Sequence, residues 1–252
     1  MRLTDILNES VNILDVDNVK KLTKEQFERI TNRAELGKGN YNTVYVNDQY
    51  SDNKVIQTMN PRFNGYLQYV NEILKLGKNR YLPQIYEISV YQDYEYAKEA
   101  GEWESEESDN SNVSPINFYV VTMERLIPST KIDDEEILSL IERNIGHKLT
   151  TKERKQIETY SPNIESPYFE YLTRFIEGSL KVHSGREPML PTIKKVTAAH
   201  NLFTDTEFRN ALRLMKSIKL KTDTAFDIHS QNLMFRRTPY GIQMVFTDPF
   251  YD

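Results

Sequence analysis

Residues 226–235, FDIHSQNLMF, place an aspartate, a histidine and an asparagine between apolar neighbours. These polar residues are Asp227, His229 and Asn232, and a further aspartate, Asp248, follows in VFTDPF. The apolar flanks predict short strands, and the intervening RRTPYG carries the proline and glycine of a hairpin turn. We therefore expect Asp227, Asn232 and Asp248 to converge at the ends of two paired strands.

Oxygen-bearing side chains that converge in this way suit a hard divalent cation, or a hydroxyl group that loses its proton. Mg²⁺ prefers such oxygen ligands, usually one or two carboxylates together with substrate phosphates. The alternative is that Asp227 and Asn232 only complete one turn and that Asp248 begins another. The pattern by itself leaves both interpretations open.

The composition limits the class of protein. The 252 residues suffice for one large domain or two small lobes, and 38% apolar with 27% charged residues is within the range of a folded protein. A net charge of -5 gives no basic footprint for nucleic acid, and no apolar run approaches the roughly 20 residues of a membrane span. The absence of cysteine excludes disulfides and cysteine-bound zinc. MRLTDILNES lacks the apolar stretch of a secretory signal, so we expect a cytoplasmic protein without nucleic acid or membrane partners.

Helical and strand periodicities alternate along the chain. Apolar residues spaced at three and four predict two early helices, a helix in GYLQYVNEILKLG and a helical block after Leu126. Asp133 or Asp134 is expected to cap the first helix of that block. LGKGNYNTVYV, NKVIQTM, LPQIYEISVY and INFYVVTMERL are typical of strands. The pattern predicts an α+β fold in three parts: a helical extension at 1–33, a strand-rich part at 34–126, and a mostly helical part at 127–252 with a terminal hairpin.

Residues 93–112, DYEYAKEAGEWESEESDNSN, form an acidic block between two of the predicted strands. Eight acids accompany one base, Lys98, and such a block repels itself and is usually a solvated, mobile loop. The alternative is a contact arm for a basic partner, with Trp103 as its apolar anchor.

Several motifs together resemble the protein-kinase-like superfamily. AFDIHSQNLMF followed by VFTDPF is similar to its catalytic loop and metal-binding motif, LGKGNYNTVY to its glycine-rich loop, and FYVVTMERL to its fifth strand and hinge. Within the superfamily, the pattern resembles the early serine/threonine protein kinases of short-tailed coliphages. The resemblance covers residues 34–126 and 220–250. It implies a bilobal fold with a small antiparallel-sheet lobe, one embedded helix, and a reduced helical lobe that ends just after the metal-binding aspartate.

The resemblance implies a role for each polar residue of the first motif. Asp227 would accept or orient the proton of the attacking hydroxyl, while Asn232 and Asp248 would hold the metal ion on the nucleotide phosphates. His229 would donate a hydrogen bond to the transferred phosphoryl group, or would merely brace the loop.

The implied nucleotide site consists largely of aliphatic side chains and backbone groups. Met123 would lie behind the adenine, with backbone groups of Glu124 and Leu126 pairing with the base. Val44 and Met234 would enclose the ring. Without the resemblance, Met123, Val44 and Met234 would be interpreted as core residues. The implied phosphate-binding residues are Gly37, Lys38 and Gly39, which otherwise form only a tight turn with an exposed lysine.

The chain departs from the family pattern on the third strand. Gln57 stands where the family has a lysine, whereas Glu72 matches the family's helix partner. Lys54 is three residues away, so strand alternation directs it to the opposite face. Losing one donor to the transition-state charge typically costs roughly 3–4 kcal/mol, or about 100- to 1,000-fold in rate, which predicts a slow enzyme.

The resemblance therefore predicts an ATP-dependent phosphotransferase that uses Mg²⁺, with Mn²⁺ as an alternative cation. It implies a phage-encoded serine/threonine kinase that modifies host proteins in the host cytosol. One alternative is a pseudokinase binding module that docks on and inhibits a host protein; another is a kinase-like enzyme that transfers AMP or phosphate to a different acceptor. The chain ends four residues after Asp248, so we expect no activation segment, although a shortened chain would end in the same way.

Overall fold

The computed structural model describes residues 19–38, 42–47, 53–59, 64–94, 115–160, 166–181, 205–222, 224–229 and 232–251. Two compact units are present: unit 1 comprises Met1–Leu74 and Gln84–Arg125, and unit 2 comprises Lys75–Pro83 and Leu126–Asp252. The described parts contain six α-helices and ten strands, which confirms the predicted α+β class. The first predicted helix, Gly39 and residues 95–112 of the acidic block lie outside the described residues.

Unit 1 is built on a six-stranded mixed sheet in the order β1-β5-β6-β4-β3-β2. The strands are β1 (Lys20–Lys21), β2 (Glu35–Lys38), β3 (Asn42–Val46), β4 (Lys54–Met59), β5 (Ile85–Asp93) and β6 (Ile116–Glu124). All neighbours are antiparallel except β1, which pairs parallel with β5. With only two residues, β1 is too short for any periodicity to predict.

Helices α1 (Lys24–Thr31) and α2 (Asn64–Leu76) contact opposite faces of this sheet. Phe27 of α1 stacks on Tyr91 with ring centroids 4.5 Å apart and lies 5.7 Å from Phe118. On α2, Tyr66 donates a hydrogen bond to Gln57, which pairs in register with Val121 of β6. Phe118 and Val121 are three residues apart on one strand, so their side chains face opposite sides of the sheet. Helix α1 therefore packs on one face and α2 on the other.

The described part of unit 2 combines four α-helices with two small strand pairs. The helices are α3 (Asp134–Ile145), α4 (Thr151–Tyr160), α5 (Pro167–Lys181) and α6 (Thr206–Thr222), and the strands are β7 (Ala225–Phe226), β8 (Leu233–Thr238), β9 (Gly241–Phe246) and β10 (Phe250–Tyr251). Strand β8 pairs antiparallel with β9, and β7 with β10. Asp133 caps α3 by accepting a 2.8 Å hydrogen bond from the Glu136 amide, as one of the two predicted caps requires.

The β8–β9 hairpin is the centre of the unit 2 core. Phe235 and Phe246 are fully buried within it. Phe235 meets Phe169 of α5 edge to face at 6.1 Å, and Phe246 lies 6.3 Å from Phe208 of α6. Aromatic side chains bury the largest apolar areas, so these contacts fix the hairpin between the two helices.

The segment before Pro83 is anchored to the start of α6 through Asp205. Its carboxylate accepts from the Glu207 amide at 2.9 Å and from the Tyr81 hydroxyl at 2.6 Å, and it pairs with Arg80. Burial, followed by the hydrogen bond to Asp205, raises the pKa of Tyr81, so its phenol remains a donor. The backbone of Tyr81 in turn accepts a hydrogen bond from the Phe246 amide at 2.9 Å.

At the tip of the β8–β9 hairpin, Gly241 has a backbone conformation that favours glycine. Gly241 has φ +103°, and a Cβ placed there would lie 3.0 Å from Nη1 of Arg143, which bonds to the Tyr240 carbonyl. We expect Gly241→Ala to lower the free energy of unfolding by about 1–3 kcal/mol, the usual cost of a strained backbone conformation. Urea denaturation measures the change. Gly37→Ala is the control, because its added Cβ meets nothing within 4 Å; equal losses in both variants would contradict the prediction.

Candidate active site

Backbone hydrogen bonds bring the predicted polar residues of unit 2 together. Thr247 donates from its amide and from its hydroxyl to the Asn232 carbonyl, both at 3.0 Å. The Asp227 amide donates to the Pro249 carbonyl at 2.9 Å. Asp248 lies between Thr247 and Pro249, so its two neighbours are bonded to the backbone of Asn232 and of Asp227. The three side chains therefore start from adjacent points, as the hairpin pattern predicts.

A hydrogen-bond network orients the side chains of Asp227, His229 and Asn232, which we call the polar turn. Nδ2 of Asn232 donates to the Asp227 carbonyl at 2.9 Å and to Oδ2 of Asp227 at 3.1 Å. Nε2 of His229 lies 3.1 Å from the same Oδ2 and 3.0 Å from Nδ2 of Asn232. In the tautomer with a hydrogen on Nε2, His229 donates to Oδ2 as Asn232 does, whereas in the other tautomer Nε2 accepts from Nδ2 of Asn232.

This network separates the two oxygens of Asp227. Oδ2 accepts from Nδ2 of Asn232 and also contacts Nε2 of His229, which leaves Oδ1 as the oxygen that can accept a proton from a substrate. The side chains of Asp227 and His229 are 35% and 42% exposed, so a substrate can reach them. His229 makes the bracing contact that was one of its two predicted roles.

The donor chemistry of the turn fits Mg²⁺. Since the amide nitrogen of Asn232 is bonded to Asp227, its amide oxygen is the atom left to act as a ligand, and Asp248 adds a carboxylate with one buried oxygen. No group of three or more histidine or acidic side chains in the described ranges converges in a metal-binding arrangement. One carboxylate and one amide oxygen match the few protein ligands that Mg²⁺ takes when phosphates supply the rest.

The described nucleotide-site candidates of unit 1 share parts of one sheet. Val44 lies directly across from Gln57, and Gln57 across from Val121, so these side chains face the same side as Met123, two residues further along β6. Gly37 and Lys38 are exposed on β2. Lys54 lies on the opposite face, with its ammonium 4.0 Å from the Tyr86 ring centroid.

Gln57 is only 5% exposed and accepts a 2.8 Å hydrogen bond from the hydroxyl of Tyr66, which is 1% exposed. Glu72 accepts from Gln68 on the same helix at 2.8 Å. The bond from α2 to this position of β4 is therefore a neutral bond made by Tyr66. The sequence reasoning missed Tyr66, because nothing in YLQYVNEIL distinguishes it from the other buried residues of α2.

The Gln57–Tyr66 bond predicts a stability effect. Tyr66→Phe leaves the buried Oε1 of Gln57 without its donor, and we expect this to cost about 1–3 kcal/mol of unfolding free energy. In a Gln57→Leu background the same replacement no longer removes a donor to Gln57, so its cost should then be smaller. Chemical denaturation of the four proteins in this double-mutant cycle measures the difference. Equal costs in both backgrounds would rule out the coupling.

The remaining candidates lie at the end of β6 and on β8. The Glu124 amide donates to the Gln84 carbonyl at 2.9 Å, so its N–H is not the group that would meet a base. Leu126 and Met234 are both half-buried residues of unit 2. The roles of these residues toward a nucleotide remain predictions.

None of the described helices is long and apolar enough to cross a membrane. Comparison with known proteins gives no match to a family model. No curated protein matches the chain either. The contacts among Asp227, His229 and Asn232 are therefore the basis of the function proposed below.

Proposed function

We propose that the protein is an ATP- and Mg²⁺-dependent phosphotransferase with a kinase-like fold, in which unit 1 is the small lobe and unit 2 the reduced helical lobe. It acts as a phage-encoded serine/threonine kinase on host proteins in the host cytosol. The observation that carries the proposal is the hydrogen bond from Asn232 to Oδ2 of Asp227. The residues on either side of Asp248 bond to the backbone of Asn232 and of Asp227, so Asp248 lies at the same turn.

The reaction follows from the two oxygens of Asp227. Oδ1 accepts the proton of a serine or threonine hydroxyl while the hydroxyl oxygen attacks the γ-phosphorus of ATP. The bond from the γ-phosphorus to the β,γ-bridging oxygen breaks, ADP leaves with the electron pair, and a phosphate monoester forms. His229 and Asn232 hold the carboxylate so that Oδ1 faces the acceptor.

The metal requirement places Asn232 and Asp248 in a ligand role. Bound Mg²⁺ would supply charge neutralisation on the phosphates. The protein contributes the amide oxygen of Asn232 and the carboxylate of Asp248, which the pairing of β8 with β9 and of β7 with β10 holds in place.

Labelling with γ-³²P-ATP tests the proposal. Purified protein with Mg²⁺ should label itself or proteins of a host extract. Asp248→Asn removes a charged ligand and should raise the Mg²⁺ concentration for half-maximal labelling at least about tenfold. Glu135→Gln, an exposed acid on α3, is the matched control and should leave the Mg²⁺ dependence as in the wild type.

Two outcomes would overturn this assignment. Absence of label from the wild type at every Mg²⁺ or Mn²⁺ concentration rejects phosphotransfer. Label from α-³²P-ATP, with a nucleotide mass on the product in mass spectrometry, instead assigns AMP transfer.

A pseudokinase binding module is the second candidate, and the buried neutral bond between Gln57 and Tyr66 favours it. In this case the position expected to carry a positive charge has been adapted to a neutral partner. Thermal-shift titration separates the candidates, because ligand at 100 times Kd stabilises a protein by about 2.7 kcal/mol. No shift with any nucleotide and Mg²⁺ supports the binding module, whereas a saturable shift supports the enzyme.

A further inference from the structure

Helix α6 is strongly basic in an acidic chain. The chain carries a net charge of -5, yet α6 has a single acid, Glu207. The bases of this helix are Arg209, Arg213, Lys216, Lys219 and Lys221. Such a local excess of one charge is an electrostatic feature that can select a partner of opposite charge.

Three of the bases and a leucine lie on one side of α6, where all but the half-buried Lys216 are exposed. Arg209, Arg213, Lys216 and Leu220 follow one another at spacings of four, three and four, which brings them to the same side of a helix. Leu220 is 85% exposed. The opposite side of α6 is buried in the core of unit 2. Lys219, three residues after Lys216, is exposed at the border of the side that carries Arg209 and Arg213, and we call the four residues together with Lys219 the basic face.

Few carboxylates offset the charge of the basic face. Within the described parts of the chain, neither Arg213 nor Lys219 forms a salt bridge, and the bond from Arg209 goes to the neutral hydroxyl of Thr206 at 3.3 Å. Burial lowers the pKa of Lys216. Arg209 and Arg213 are like charges four residues apart, an arrangement that repels itself and that an acidic partner would relieve.

Lys219, the last base of the basic face, lies beside the polar turn. The ammonium of Lys219 lies 4.8 Å from the ring centroid of Phe226, and Phe226 directly precedes Asp227. Phe226 also lies 5.9 Å from Phe250, which follows the Thr247–Pro249 segment. A polypeptide that contacts Lys219 is therefore close to the residue that would accept the proton.

We propose that the basic face docks an acidic segment of the acceptor protein next to its target hydroxyl, an inference that rests on the proposed phosphotransferase function. Arg209, Arg213 and Lys219 attract the carboxylates of that segment, and Leu220 packs against an apolar side chain within it. Leu220 favours a peptide over a nucleic acid, because a phosphate backbone offers no apolar side chain to pack against. The overall charge of -5 also repels a polyanion as long as nucleic acid.

Peptide binding tests the docking surface independently of catalysis. The probes are fluorescent serine peptides of equal length, one with glutamate and leucine beside the serine and one with glutamine in place of each glutamate. In fluorescence anisotropy the full chain should bind the acidic peptide more tightly, and added salt should remove the difference. Arg213→Glu and the double variant Arg213→Glu/Lys219→Glu should each weaken acidic-peptide binding by about tenfold or more.

The control is Lys152→Glu/Lys155→Glu, the same charge change at two exposed positions of α4, which should bind the acidic peptide as the wild type does. Equal affinity of the wild type for both peptides would overturn the proposal, as would equal losses in the α4 and α6 variants. Tighter binding of a single-stranded oligonucleotide than of the acidic peptide, lost in the α6 variants, would also overturn it in favour of nucleic acid. Selective peptide binding without label transfer would keep the docking surface and reject only the phosphotransferase function.

Discussion

Replacing Asp227 with asparagine is expected to lower kcat for phosphotransfer by about 100- to 10,000-fold, the range that a positioned general base contributes. The amide has the same size as the carboxylate but cannot take up the proton of the acceptor hydroxyl. The single amide oxygen can take the place of Oδ2 and still accept from Nδ2 of Asn232, which contacts Oδ2 at 3.1 Å in the wild type. The turn should therefore keep its conformation while the chemistry is lost.

Single-turnover kinetics with Mg²⁺-ATP measures this effect, and the nucleotide-induced thermal shift reports whether binding is intact. We expect the shift to persist in Asp227→Asn, because nucleotide affinity would come from groups other than the base. Glu135→Gln, an exposed carboxylate-to-amide change of the same kind, should retain the wild-type rate. A wild-type rate for Asp227→Asn would show that Asp227 is not the base.

Replacing Phe235 with alanine is expected to cost about 3–5 kcal/mol of unfolding free energy, the usual effect of removing a buried aromatic side chain. Phe235 is fully buried, contacts Phe169 edge to face, and exchanges backbone hydrogen bonds of 2.8 and 2.9 Å with Ile127. The backbone on both sides is thus held in place, so the surroundings cannot collapse into the cavity. Urea denaturation measures the loss.

The control for Phe235→Ala is Tyr240→Ala at the tip of the same hairpin. Tyr240 is 85% exposed, and surface substitutions usually change stability by less than about 0.5 kcal/mol. If both variants unfolded at the same urea concentration, the hairpin would not be the centre of the unit 2 core.

The helices and longer strands could be predicted from the sequence because their signals are local. In α3, the spacing of Ile137, Leu138, Ile141 and Ile145 predicts a buried face, and all four are buried. Strands of two residues have no such signal. The β1 strand exists because it pairs with β5, and β7 exists because it pairs with β10, so each depends on residues distant in the sequence.

The candidate site was predictable to the level of residues but not of atoms. Apolar flanks and a hairpin turn were enough to expect Asp227, Asn232 and Asp248 at adjacent strand ends. No pattern indicated that Nε2 of His229 and Nδ2 of Asn232 share one oxygen of Asp227, since that depends on side-chain conformations. The pairing of Gln57 with Tyr66 was equally hidden, because it depends on how α2 is rotated against the sheet.

The sequence by itself determined the α+β class and the polar turn before the terminal hairpin, and it limited the cap of α3 to Asp133 or Asp134. Each of these depends on neighbours within a few residues, through side-chain periodicity, capping hydrogen bonds or turn propensity. Only the tertiary structure decided which oxygen of Asp227 contacts Asn232 and His229, which residue donates to Gln57, and that Lys219 of the basic face lies beside Phe226. These features join residues from separate elements, and their distances are set by the packing of the whole core rather than by any local run of residues.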